Sequence, residues 1–530
     1  MVDITRRDAM TLAAMALLTP AFATRALAQS QGQSVLKVAP HASLRLLDPL
    51  TTTAYITRNH GYMVFDTLFG VDSAFSPQPQ MVETWSVSDD KLSYGFTLRE
   101  GLLFHDGSPV TAADCVASLA RWMQRDLTGG RLAKVLTKME AGDAKTFTLT
   151  LSEPFGPLID ALAKPSSLVP FMMPKRLAET PSDKSIEEAI GSGPFTFVAE
   201  EFQPGVKVVY ERFADYKPRP EPASYLAGGK VAKVDRVEWI TMPDTQTAVN
   251  ALEKDEIDMI ESTNADTVGL LRDAPGVEIQ KLAITYEPVI RFNWLQPPFD
   301  NVKIRQAAQQ AITQRDFMDV LIGDPEAYRI CGALFGCGTP LETEAGAVGT
   351  GEPNYDRARA LLEEGGYKGE KVVVLNASDI ASFAGLAPLT AQILRSIGME
   401  VEVASMDFST YLARRNRQVP VSEGGWNVAF GVWSTIDLAS PLANLNLDGR
   451  GAPGYAGWSK DEKIEALKGD YARATSLAEQ QAIAKEIQER AYELVFYIPL
   501  GTYFGFSAHR ADVSGLPPAP LAVFWDVEKT

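Results

Sequence analysis

Apolar and polar positions alternate most clearly at Leu92, Tyr94, Phe96 and Leu98, the two-residue period of a half-buried strand. Asp89-Asp90-Lys91 before it is a polar turn, and residues 147–151 repeat the alternation as a partner for residues 94–98. Similar runs predict strands at 35–39, 206–210 and 237–241. The stretches 371–375 and 427–433 are continuously apolar, as in strands covered on both faces. Further strands are expected at 401–403, 497–500 and 524–527. Helices announce themselves by their starts and stops. Thr111 with Asp114, Thr313 with Asp316, Ser459 with Glu462 and Ser476 with Glu479 all have capping-box spacing. In the first of these helices Val116, Leu119, Ala120 and Met123 fall on one side; in the last, Ile483, Ile487, Ala491 and Leu494 do. Helices are also expected at 58–68, 185–190, 245–253, after an Asp300 cap, at 355–364 up to Gly365-Gly366, and at 389–397. Strand, helix and strand in succession over 371–403 imply a parallel sheet flanked by helices, an α/β fold.

Size and charge narrow the picture. A chain of 530 residues exceeds one ordinary domain, so two or three lobes are expected. Its net charge is −17. Such a surface repels phosphate backbones, which argues against nucleic-acid partners. The N-terminus reads as an export signal over residues 1–28: Arg6-Arg7, an apolar run over 9–23, then Ala26-Leu27-Ala28 as a small-x-small cleavage site. Thr5-Arg6-Arg7-Asp8 resembles a twin-arginine motif, while Ala9 and Met10, in place of bulky apolar residues, keep the general secretory route open. The run is shorter than the roughly 20 residues a spanning helix needs, and Pro20 interrupts it. The mature chain is expected in the periplasm, starting near Gln29, with a net charge of −18 once Arg6, Arg7 and Arg25 are lost against Asp3 and Asp8. In that oxidising compartment Cys331 and Cys337, close together in a Gly-rich loop, are expected to form a disulfide. The other reading, a metal site, has no His nearby in sequence. Cys115 is expected to be a small buried residue.

Three blocks carry a resemblance. The first runs from Thr84-Trp85-Ser86-Val87-Ser88-Asp89-Asp90 through Leu98-Arg99-Glu100-Gly101 to Phe104-His105-Asp106-Gly107-Ser108-Pro109-Val110-Thr111-Ala112-Ala113-Asp114. The second is Gly191-Ser192-Gly193-Pro194-Phe195 with Phe213 and Tyr216. The third is Arg291-Phe292-Asn293-Trp294 followed by residues 298–307. Together they resemble the peptide/nickel class, family 5, of ABC-transporter solute-binding proteins. The resemblance implies a class II periplasmic-binding-protein-like α/β fold of two hinged lobes, with an extra subdomain at about 66–190. Lobe I would comprise 29–288 and a returning tail at 504–530; lobe II would comprise 289–503. The chain would cross near Pro288 and Tyr503. Phe104-His105-Asp106-Gly107 would be a structural turn.

Such a protein grips a small solute between lobes that close around it. The resemblance makes Trp433, at the end of a Gly-x-Trp strand, a candidate pocket wall, its indole offering a flat apolar face and one N–H. Peptide-binding relatives place an Asp three residues further on; here that position is Ile436, and Asp437 follows. Dipeptide-binding relatives place an Arg after the strand matching 371–375, where this chain has Asn376-Ala377-Ser378-Asp379. A buried ligand charge without a partner costs several kcal/mol, on the order of a thousandfold in affinity, which argues against a free dipeptide. Ser378 and Asp379 are candidates for a polyol or cation contact, or merely cap the next segment. Thr53 and Tyr55, in the loop after the first strand, are candidate contacts from lobe I. Asn293 and Trp294 read as hinge braces and His60 as a structural histidine. Only four His are present, with no coherent nickel set, and no cofactor is expected. No nucleophile elbow, zinc-protease helix or phosphate loop is present, so a hydrolase is disfavoured. The expected function is a monomeric ABC-importer receptor delivering a peptide-like or other small organic solute to its permease; a periplasmic chaperone or sensor partner is the alternative.

Overall fold

The longest strand, Val277–Phe292, organises the molecule. In the computed structural model, which describes residues 34–530 apart from 264 and 384, this strand serves two halves of one large sheet. Its first part pairs antiparallel with Thr502–Arg510, from Val277 opposite Arg510 to Tyr286 opposite Tyr503. Its second part pairs with Val428–Ser434, from Tyr286 opposite Ser434 to Phe292 opposite Val428. A register shift between Lys281 and Thr285 marks the joint. Pro288 and Tyr503 both lie on these shared strands.

On the lobe I side the sheet continues from Thr502–Arg510 through Met259–Thr263, Val35–Ala39, Arg236–Ile240 and Lys207–Arg212 to Phe195–Phe197. On the lobe II side Val428–Ser434 is followed by Lys371–Ala377 and Glu400–Met406, joined in parallel as the apolar run at 371–375 implies. Val372, Val374 and Leu375 are fully buried there. One apolar core runs through lobe I and the subdomain and continues into lobe II at Leu334, Leu442, Tyr471 and Tyr497, and a second gathers around the lobe II strands.

That subdomain holds a four-stranded antiparallel sheet of Val82–Val87, Ser93–Leu98, Thr146–Leu151 and Leu136–Ala141. Phe96 sits opposite Phe147 and their rings stack at 4.9 Å, as the alternation requires. Helix Ala112–Met123 starts with the full Thr111/Asp114 capping box. Cys115 and Trp122 on it are fully buried, and burial pushes the Cys115 thiol up. Arg121, on the same helix, meets Asp48 with two nitrogens, at 3.1 and 2.7 Å.

Several local expectations change. Residues 185–190 form no helix, because their backbone is claimed elsewhere. Ile186 N–H donates to Asp48 (2.9 Å), and the Lys184 carbonyl accepts from Arg121 (2.8 Å). The helix expected at 58–68 is Tyr55–Val64; beyond it Asp66–Thr67 pairs as a short strand with Phe171–Met172. Asn301, not Asp300, caps Val302–Ala311, and Asp461, not Ser459, caps Glu462–Arg473. Thr313 caps its helix without the reciprocal acidic bond. Residues 524–527 are not a strand: Trp525 is buried beneath Lys230, and the pairing falls on Glu528–Lys529. The export signal expected over 1–28 lies outside the described residues. Among the described residues no helix is long and apolar enough to cross a membrane.

Candidate ligand cleft between the lobes

Two short segments face each other where the lobes meet. From lobe II, strand Val428–Ser434 runs directly into the helix Thr435–Leu438, which carries Ile436 and Asp437. From lobe I, the loop after the first strand ends in helix Tyr55–Val64. The Tyr55 hydroxyl donates to the Asp437 carboxylate across the cleft, and the Ser434 N–H approaches the same hydroxyl at 3.4 Å. Burial pushes the Tyr55 phenol well up, and the Asp437 charge adds to it. The hydroxyl therefore stays protonated and keeps its donor.

One turn further along the helix, Arg58 lies over the Tyr55 ring, 4.5 Å from its centroid. Arg58 is only 4% exposed. Its Nε and Nη2 reach the Asn59 Oδ1 at 3.4 and 3.3 Å, and its Nη1 is buried with no partner among the described residues. Asn59 in turn donates to Glu261 at 2.7 Å, and Glu261 accepts from the backbone N–H of His41 at 2.9 Å and meets its ring Nδ1 at the same distance. Burial opposes the Glu261 charge, but His41 and Arg58 hold its carboxyl below the usual range. Tyr286 and Tyr503, on the two shared strands, stack at 5.6 Å beside this group. Burial pushes the Tyr286 phenol up to about 12.

Trp433 is half-buried at the end of its strand. Its indole lies across Gly431, where a Cβ would come within 2.7 Å of Nε1, and meets Tyr455 edge-on at 5.9 Å. The indole N–H has no partner among the described residues. Glu287, its cross-strand neighbour, is 1% exposed, and burial pushes that carboxyl well up. Ile436 lines a cavity of about 130 Å³ between the subdomain and lobe II, walled also by Phe75, Asp160, Lys164, Leu341 and Tyr471. The subdomain closes on lobe II at Gly156, whose N–H donates to the Ala472 carbonyl at 2.8 Å.

The other candidates sit differently. Thr53 is exposed, and its carbonyl accepts from Ser167 at 2.9 Å. Ser378 bonds the Met406 carbonyl through both its N–H and its hydroxyl; Asp379 accepts from the Phe408 N–H at 2.8 Å, at the start of helix Phe408–Arg415. His60 is fully buried against the Tyr210 hydroxyl at 2.9 Å, and burial lowers its pKa to about 3. Asn293 ties to the Trp426 carbonyl, while Trp294 stacks on Arg305. Cys331 and Cys337 are joined in a disulfide. Cys331 therefore has no thiolate to offer a metal beside Glu342 and Glu344. Arg58 is the cleft residue that sequence reasoning passed over. Its signal was the three-residue spacing from Tyr55, which puts both on one helix face.

A sheet shared by two lobes, crossed by two strands, with a side-chain contact between the lobes, is the frame of a two-lobed solute-binding protein. The model of the bacterial extracellular solute-binding proteins, family 5, matches residues 76–480, and the chain belongs to that family. It is a solute-binding receptor of an ABC importer. It is 36% identical over 535 residues to a protein of Sinorhizobium fredii named "Probable peptide ABC transporter periplasmic-binding protein y4tO", with 100% of each chain covered. It is 26% identical over 521 residues to the glutathione-binding protein GsiB of Pectobacterium atrosepticum, with 92% of each covered. The fold matches the crystal structure of the substrate-binding protein CtaP of Listeria monocytogenes with a TM-score of 0.78 at 21% identity, over 94% of this chain and 99% of that one.

Proposed function

We propose that this receptor is exported to the periplasm and closes as a monomer on a small peptide-like solute bearing an ammonium group. It then delivers that solute unchanged to a membrane permease. The carrying observation is the Tyr55–Asp437 contact, which joins the lobes through a carboxylate standing on the cleft. A ligand ammonium would take the place of the Tyr55 hydroxyl on Asp437, forming a charge-assisted bond stronger than the neutral one it replaces. Trp433 would wall the site, and Ile436 would line an apolar recess for a side chain. Thr53, Ser378 and Asp379 brace backbone at its margins in this reading. The likeness to the Sinorhizobium protein, named as a probable periplasmic-binding protein for peptides, supports a peptide-type solute and a periplasmic location.

The test is X-ray scattering and thermal shift of the mature chain against a panel of small peptides, amino acids and sugars. One solute class should raise the melting temperature with concentration and shrink the scattering envelope. Turnover of a solute without saturable binding would overturn the reading.

A further inference from the structure

Two other buried arginines, Arg121 and Arg305, are well supplied with acceptors. Arg121 donates to both Asp48 oxygens and to the carbonyls of Thr180 and Lys184. Arg305 donates to the carbonyls of Leu494, Phe299 and Asp300 and stacks on Trp294. Arg58 is as deeply buried, yet has only long contacts to one side-chain amide and a free Nη1. A buried guanidinium N–H with no acceptor is costly, so an anion that reaches it is bound strongly. Arg58 is also held in place. Asn59 accepts from Nε and Nη2 while itself anchored to Glu261, which leaves the Nη1 side of the fork unclaimed. Arg291 has unpartnered nitrogens too, but it bonds Asn446 and packs on Gly457 and Tyr455, all within lobe II. The Tyr55 side chain touches both Arg58 of lobe I and Asp437 of lobe II.

We infer that Arg58 is the anion anchor of the cleft, so that the solute carries a carboxylate as well as its ammonium. The two poles of such a zwitterion would be held by opposite lobes, with Tyr55 between them. Closure would then depend on both charges of the guest. The inference rests on the receptor reading above and names its substrate class. The carboxylate is recognised from a helix of lobe I, not from the segment after 371–375, where no Arg stands.

The experiment compares acid and amide forms of the same probes: Ala-Ala and Ala-Ala-Ala against their C-terminal amides, with putrescine and glucose as probes lacking a carboxylate. Calorimetry is run on the mature wild type, Arg58→Gln and Arg58→Lys. At least one acid should bind wild type, with its amide about ten- to hundredfold weaker. Arg58→Gln should bring the acid down to the amide's affinity, and Arg58→Lys should fall between, keeping the charge but not the fork. Equal binding of acid and amide to wild type overturns the inference, and this arm needs no variant to fold. An acid preference that survives Arg58→Gln also overturns it. Binding of putrescine with none of the acids removes the carboxylate and leaves the ammonium reading standing, whereas binding of glucose alone overturns both. If no probe binds or changes the scattering, the receptor reading falls and takes the inference with it.

Discussion

The Arg121 corner of the subdomain and the Arg58 corner of the cleft use the same side chain at nearly the same depth, 2% and 4% exposed, for opposite ends. At the first, a carboxylate and two carbonyls match the guanidinium, and Asp48 also collects the Leu50 and Ile186 N–H groups at 3.0 and 2.9 Å. Every partner comes from lobe I or its subdomain, so the arrangement is fixed whether or not the lobes move. At the second, the fork is half used, and its aromatic neighbour reaches across to the other lobe. A satisfied buried charge specifies one structure; an unsatisfied one keeps capacity for a guest.

Breaking the satisfied corner should have the largest effect. Arg121→Met leaves Asp48 buried and unpaired and should cost about 3–5 kcal/mol in denaturant unfolding. A loss below about 1 kcal/mol would show that the corner does not hold the subdomain.

Acid tests the cleft helix next. His60 follows Arg58 and Asn59 and is neutral, its pKa lowered to about 3 from 6.5 by burial. The unfolded chain takes up this proton below pH 6.5 while the folded chain refuses it. Stability is therefore greatest above pH 6.5 and is lost as pH falls from 6.5 toward 3, by about 2 kcal/mol between pH 6.5 and 5 for this one group. His105, lowered to about 4 chiefly by burial, acts in the same direction. His60→Gln should flatten the melting profile over that interval by roughly half. An unchanged slope would mean that His60 is charged in the fold.

Trp433→Ala should weaken solute binding by about tenfold or more, some 1.4 kcal/mol, with the melting temperature of the free protein little changed. Unchanged calorimetric affinity would place the indole outside the pocket. Tyr55→Phe should have the smallest effect, about 1 kcal/mol, because it removes the hydroxyl's bond to Asp437 and its long contact with the Ser434 N–H. It acts on the equilibrium between lobes, so the ligand-free protein should give a larger radius of gyration. Identical scattering curves would show that the cross-lobe contact does not hold the closed form.

What was readable in the chain follows the range of each interaction. The Thr111/Asp114 and Ser476/Glu479 capping boxes were legible because both partners lie three residues apart. The pairing of Phe96 with Phe147 was legible because both strands alternate with the same period. The missing helix at 185–190 was not, since the groups that claim its backbone, Asp48 and Arg121, are far away in sequence. The cap shifts from Asp300 to Asn301 and from Ser459 to Asp461 are near misses of one and two positions among neighbouring polar residues. Of the candidate site, Tyr55 and Asp437 are brought together with Arg58 around the cleft and Ile436 lines a neighbouring cavity, while Ser378 and Asp379 are engaged with the start of the next helix.

By itself the sequence determined the α/β class, the family blocks, and the Gly-x-Trp strand with its following loop, because period and short-range spacing are written into consecutive residues. Only the tertiary structure decided that Tyr55 faces Asp437, 382 residues away, and that Arg58 is left half-unpaired beside them. A charge is satisfied or not according to which atoms lie within about 3 Å of it, and that depends on how distant segments pack.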